Sequence, residues 1–270
     1  MTRKFHQKVI SYSYYQPSIP DPRKRNYFDG ISKNLHAIKK YYGLSWSMRL
    51  YLKMSTISDS QKKTICQLRC SYPGTLELCD VENNPRFGDV SKVFPANWRF
   101  LATLDPQVDI AFSRDLDSLP MKREMMAVNE FLNSSKGFHF MRDHPKHNVP
   151  IMAGLWGVQL SSSKIRRKLH QSFMKLFESK LFYVDPNLKG PDQYILAKYI
   201  WPWAKYFAMS HDSYFCKGDI NSKPFPTKRK NGICNFVGCI PELNSTLSFS
   251  WKNECPLECR PYKHPNWNHC

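Results

Sequence analysis

The chain has 270 residues, 41% hydrophobic and 14% aromatic, values of a globular protein that can bury a full core and not of a disordered polymer. Its 40 Lys+Arg against 22 Asp+Glu leave a formal net charge of +18, which favours polyanionic partners: nucleotides, acidic glycans, nucleic acid or anionic membrane. The basic residues are scattered in short clusters at 23–25, 166–168 and 228–230 and do not line one helix face, which disfavours nucleic acid, and no apolar run is long enough to span a membrane.

In chain order, residues 8–15 are aromatic and β-branched and predict a first strand. Residues 16–26, rich in proline and base, must then be a loop, either contacting phosphate or simply solvated. Ile31, Leu35 and Ile38 recur at helical spacing within 27–42, and Gly43 stops that helix. A strand at 47–54, a helix at 58–70 and a strand at 75–81 follow. The alternation argues for a parallel α/β sheet built from right-handed crossovers. Residues 97–104, with Trp98, Phe100, Leu101 and Leu104, predict a helix whose large side chains are core.

Val108, Ile110 and Phe112 alternate at period two and run into Ser113-Arg-Asp-Leu-Asp-Ser118. Asp115 and Asp117 therefore stand at the carboxyl end of a strand, where open α/β sheets bind ligands. Two adjacent carboxylates repel, and a divalent cation relieves the repulsion and recruits phosphate oxygens. The plainer alternative is that Asp115 caps a turn and Asp117 is solvated. Ser118 as N-cap and Pro120 in the first turn predict a helix over 121–133.

Residues 137–142 form a short strand that opens into Asp143-His144-Pro-Lys-His147. Arg142 and Lys146 suit a diphosphate and Asp143 a sugar hydroxyl, although a hydrogen-bonded loop explains the cluster equally well. His144 and His147 are too few for a metal site by themselves. The stretch 150–158 reads as a buried strand in which Gly154 and Gly157 permit close approach and Trp156 is either core or a platform for a sugar. A basic helix at 164–182 carries its apolar stripe on Ile165, Leu169, Phe173, Leu176 and Phe177. A second helix begins near residue 190 and ends at Pro202, with Asp192 either its N-cap or a catalytic group. The strand 206–210 delivers His211 to its end.

Prolines and cysteines dominate the tail, which should be irregular. Five of 9 cysteines lie at or beyond Cys234, and the absence of C-x-x-C favours disulfides over zinc. The odd count leaves at least one thiol free or intermolecular. With sequons at Asn133 and Asn244, this favours a secretory lumen and a glycoprotein, although no signal segment is legible.

These parts stand in the order used by nucleotide-sugar-dependent glycosyltransferases of the GT-A fold. S-R-D-L-D-S at 113–118, F-H-F-M-R-D-H-P-K-H at 138–147, G-L-W-G at 154–157, G-P-D-Q at 190–193 and H-D-S-Y at 211–214 resemble a compact, capsular-polysaccharide-type group of that class. The resemblance implies a GT-A-like, Rossmann-type, mostly parallel α/β sheet flanked by helices over 1–216, with 217–270 an irregular Cys/Pro-rich extension packed on the same domain. It implies that Asp115 and Asp117 hold the donor diphosphate through Mn2+ or Mg2+, with His211 completing the metal shell as in glycogenin-like members. Arg114, Asp115, Arg142, His144 and Trp156 would contact the UDP- or GDP-linked donor, and Asp192 and Asp143 would act on the acceptor hydroxyl, most simply of a glycan.

Two departures stand out: the N-terminal anchor common in animal members is missing, and the first loop has no glycine fingerprint. Two other readings compete. A haloacid-dehalogenase-type phosphatase would use Asp115 as nucleophile and Asp117 as acid, but that pair belongs near the N-terminus, with Thr or Val in a position that does not match Ser118. A basic, non-enzymatic protein would instead grip acidic polymers by charge.

Overall fold

The computed structural model describes residues 6–16, 26–179, 190–230, 232, 234–241 and 254–270. Among these, strands β1 (Gln7–Tyr14), β2 (Trp46–Leu52), β3 (Leu76–Asp80), β4 (Val108–Arg114), β5 (Phe138–Arg142), β6 (Leu155–Gln159), β7 (Ala208–Asp212) and β8 (Ser222–Lys223) form one sheet. Its order is β3-β2-β1-β4-β6-β5-β7-β8. β1 runs parallel to β2 and β4, β2 to β3, and β7 to β5 and β8. β6 alone is antiparallel to both its neighbours, β4 and β5. The reason is the connection: no helix lies between β5 and β6 to carry the chain back across the sheet, so β6 must return in the opposite sense. Mostly parallel is therefore right, and wholly parallel is not.

Helices cover both faces because the strands are apolar on both. Ile10, Tyr12 and Phe112 pack against α1 (Asp29–Tyr41), α2 (Asp59–Ser71) and α3 (Lys122–Leu132) through Ile31, Leu35, Ile65, Val128 and Phe131. On the other face Val9, Ala111 and Trp156 meet a 3-10 segment, Pro95–Leu104, and α4 (Ser163–Glu178) through Phe100, Leu169 and Phe173. Each large side chain buried this way contributes about 1.5–3 kcal/mol. Residues 97–104 are the core element that the apolar run predicts, but wound as a 3-10 helix with Ala96 to Leu104 buried.

Local signals decide the helix ends. Ser58 and Gln61 form a reciprocal capping box at the start of α2. Ser118 is not the cap of α3: its N–H closes a turn on the Asp115 carbonyl at 3.3 Å, and the helix starts past Pro120 with Met121 at the N-cap. Nor does Pro202 end its helix. The chain runs as α5 (Pro191–Ile195), a π-helical turn (Leu196–Ile200) and α6 (Trp201–Ala204), so Pro202 falls in a restarted first turn where a missing N–H costs little. Gly190, at φ 66°, precedes α5 in the left-handed region that glycine favours.

The tail is irregular and cross-linked by Cys216–Cys259, Cys234–Cys239 and Cys255–Cys270. Cys66 and Cys70 are exposed thiols and Cys79 a half-buried one. The tail supplies β8, and its Phe225 and Val237 pack on Ala127, Met141 and Leu155. Asn133 is exposed at the end of α3, while Asn244 and the 23–25 cluster lie outside the described residues. No described helix is long and apolar enough to cross a membrane.

Candidate functional site

The site grows from the carboxyl end of β4. Asp115 follows the strand directly, with its side chain 48% exposed, and accepts a hydrogen bond from Arg99 Nη1. Arg99 Nη2 donates to Asp192 Oδ2 at 2.7 Å. One buried guanidinium thus ties the first acid of the D-x-D triplet to the acid of α5, which lies 93 residues from that arginine.

Arg99 is held by its own backbone. Ser11 Oγ donates to its carbonyl at 2.7 Å and Ser13 Oγ accepts from its N–H at 3.0 Å, so β1 pins the 3-10 segment. Opposite Asp115 lies Gly154, where a Cβ would stand 1.9 Å from Asp115 Oδ2. The backbone there is held by Ser113 Oγ on the Ala153 carbonyl at 2.7 Å and by the Ala153 N–H on Gln193 Oε1 at 3.0 Å.

Asp117 is half-buried two residues on. Tyr15, just past the end of β1, feels the charge of all three acids. Burial raises its hydroxyl pKa, Arg99 opposes, and Asp192, Asp115 and Asp117 add to the rise. Asp192 is itself raised, first by burial, against the pull of Arg99 and with a push from Asp115. Three acids and one arginine carry a charge of −2 when all are ionised, although among the described residues Asp115, Asp117 and Asp192 do not form a set with ligand atoms all within 4.8 Å of one another.

Other expected site residues are placed elsewhere. Arg114 is fully buried and pairs with Glu124 at 2.8 Å, and its Nη1 donates to the Gly154 carbonyl. Arg142 spends its guanidinium on Asp212 at 2.5 Å, Asp219 at 2.8 Å and the Pro150 carbonyl. Trp156 is core, edge-on to Phe100, and offers no face to a sugar. His144 stacks near Phe236 and accepts from the Lys146 N–H, and burial lowers its pKa to about 4.

Asp143 is buried and saturated. Arg123 and Arg229 reach it through side-chain nitrogens, joined by Ser213 Oγ and the Val237 N–H, all at 2.6–2.9 Å. Burial alone would raise its pKa, but the two arginines overcome this and hold it well below the usual carboxylate range. No oxygen is left for a sugar hydroxyl.

His211 lies within β7, fully buried. Its Nδ1 meets His139 Nε2 at 2.7 Å and its Nε2 meets Glu130 Oε2 at 3.0 Å. Among the described residues, Asp115, Asp117 and His211 do not form a set with ligand atoms all within 4.8 Å of one another. The one set that does, Asp212, Cys216 and Cys259, contains a disulfide.

Arg99 and Tyr15 are what the sequence reading missed. For Arg99 a signal existed: one arginine inside an apolar run, since a buried arginine implies a paired acid. No family model matches this chain, and no curated protein does. Among solved structures, a glycosyltransferase involved in the glycosylation of the major capsid of PBCV-1 is similar, with TM-score 0.38 and 12% identity over 77% of this chain and 82% of that one. A likeness this distant carries no argument about the site.

Proposed function

We propose that the chain is a metal-dependent glycosyltransferase that moves a sugar from a nucleotide-diphosphate sugar to an acceptor hydroxyl. The observation that carries the reading is the shared arginine: Asp115, at the mouth of β4, and Asp192, on α5, are gripped by the same Arg99 beside Asp117 and Tyr15. Arg142 also holds two acids, but Asp212 and Asp219 are buried, whereas the Asp115 side chain is 48% exposed. Here a second and third acid are gathered where the sheet opens, and glycine is spent at 154 to make room.

The residues divide by role. Asp115 and Asp117 offer hard carboxylate oxygens for Mn2+ or Mg2+, with pyrophosphate oxygens and water to complete the shell. Such an ion, when bound, neutralises charge on the departing nucleoside diphosphate. Asp192, whose proton affinity is raised by burial, accepts the proton of the acceptor hydroxyl. The Arg99 bond to Oδ2 and the Gln193 N–H bond to Oδ1 at 2.9 Å fix the orientation of that carboxylate. His211 has no part in this scheme, because both its nitrogens are engaged elsewhere.

The test is a thermal-shift panel of UDP- and GDP-sugars with and without Mn2+. A donor at a hundred times its Kd adds about 2.7 kcal/mol of stability. The shift should require Mn2+ and vanish in Asp115→Ala and Asp117→Ala. A shift that survives Asp117→Ala refutes the metal assignment.

A further inference from the structure

Beyond the acid cluster, the surface changes sign. Residues 163–178 and 190–207 together hold 7 Lys+Arg and 2 Asp+Glu. These segments are neighbours: Leu169 and Phe173 of α4 share one apolar cluster with Ile195, Leu196 and Ile200. One of the seven is not on offer, since Arg166 turns inward to the carbonyls of Asp105, Val108 and Leu160.

Four of the lysines lie over aromatic rings. Lys168 Nζ lies 4.9 Å from the centre of Trp203, and Lys164 Nζ lies 5.5 Å from that of Phe207. Lys198 donates to the Tyr194 hydroxyl at 2.6 Å, and Lys205 lies over Tyr206 at 5.2 Å. Tyr194 is 46% and Tyr206 70% exposed. A ring under each ammonium restricts it, so less freedom is lost when an anion docks. Tyr194 is two residues from Asp192, and a helical rise of about 1.5 Å per residue carries the track about 20 Å from Asp192 to Lys205.

We infer that this lysine-aromatic track is the docking surface of an anionic glycan, a chain bearing carboxylate or sulfate groups, which it leads to Asp192 as acceptor. The inference rests on the proposed function for the role of Asp192 but stands on its own as a binding surface. Charge selects a polyanion, and the half-exposed tyrosines suit sugar rings. Nucleic acid fits less well: Trp203 packs edge-to-face with Phe138 and its ring lies under Lys168, so it is no base-stacking platform. The three disulfides also fit an oxidising compartment, where nucleic acid is not the prevailing polyanion.

The experiment uses the full chain without metal or donor. Binding is measured to a sulfated glycosaminoglycan oligosaccharide, a uronate-only oligosaccharide, neutral dextran and single-stranded RNA of matched charge, across a salt series. The variant Lys164→Ala/Lys168→Ala/Lys198→Ala/Lys205→Ala is set against Lys39→Ala/Lys40→Ala/Lys62→Ala/Lys63→Ala on α1 and α2, which removes equal charge. The track variant should bind at least one anionic oligosaccharide about tenfold more weakly or worse, and its salt slope should fall by roughly one per contacting lysine. The control variant should bind nearly as wild type, and the four Lys→Arg replacements at the track should bind as wild type. Equal losses in the two alanine variants, RNA bound as tightly as glycan, or no binding by the wild type would each overturn the inference. Loss of glycan binding without any Mn2+-dependent donor shift would leave the track standing and remove the transferase reading. The reverse pattern would do the opposite.

Discussion

Replacing Asp143 by asparagine separates a structural acid from a catalytic one. The carboxylate accepts from Arg123, Arg229, Ser213 and the Val237 N–H, so an amide group would turn one end from acceptor to donor against nitrogens that are also donors. Two guanidiniums with 3–5% side-chain exposure would lose their counter-charge. Breaking one side of a buried pair costs about 3–5 kcal/mol. In a chain this size that lowers Tm by about 6–20 °C, at 2–4 °C per kcal/mol. Urea unfolding with disulfides intact measures it. Asp192→Asn is the comparison: burial raises its pKa, so the charge removed is one the fold already disfavours, and Arg99 keeps Asp115 as a partner, so the stability loss should be smaller. The pH dependence carries the same information. Because the folded pKa of Asp143 is depressed, its stabilisation is present above the ordinary value of about 3.9 and is lost as pH falls below it. Asp143→Asn should therefore remove part of the acid-limb slope. If Asp143→Asn and Asp192→Asn prove equally stable, the assignment of roles is wrong.

Gly154→Ala should displace the Asp115 carboxylate, since its Cβ would lie 1.9 Å from Oδ2 and 2.6 Å from Cγ. It should cost about 1–3 kcal/mol and abolish the Mn2+-dependent shift; the stability cost should shrink in the Asp115→Ala background, as a double-mutant cycle would show. Arg114→Met should destabilise by about 3–5 kcal/mol, whereas adding Glu124→Leu should recover much of this in urea unfolding. Burial holds His139 well below its ordinary range and lowers His211 against the pull of Glu130, so folding disfavours their protonation, while the unfolded chain protonates near pH 6.5. Their stabilisation is then full above about pH 6.5 and declines as pH falls, and His139→Phe should flatten that decline in Tm against pH. Cleaving Cys255–Cys270, a 15-residue separation, should cost about 3 kcal/mol, read as earlier proteolysis of the tail under mild reductant.

What could be read beforehand follows from what is local. Val108, Ile110 and Phe112 alternate whatever they pair with, so β4 and its neighbours were legible, as was the strand end that presents Asp115. Direction is not recorded in alternation, which is why β6 was found but its reversal was not. Arg114, Arg142 and Asp143 stand at strand ends as ligand-binding groups do. Their partners Glu124, Asp212 and Arg229 become visible only once the chain has folded. Ionisable residues look the same in sequence whether protein or substrate will neutralise them. Arg99 shows the converse: it sits among core residues, and its purpose depends on an acid 93 positions away.

The reversed strand has a further consequence. Among the described residues, β6 is the sole ladder joining the half of the sheet that ends in Asp115 to the half that carries the cross-linked tail. Gly157 at its centre allows Phe112 to close over it, for a Cβ there would fall 2.4 Å from that ring. Opening that ladder would part the two halves of the sheet, so amide protons of β6 should be among the slowest to exchange with solvent, which makes them reporters of global stability.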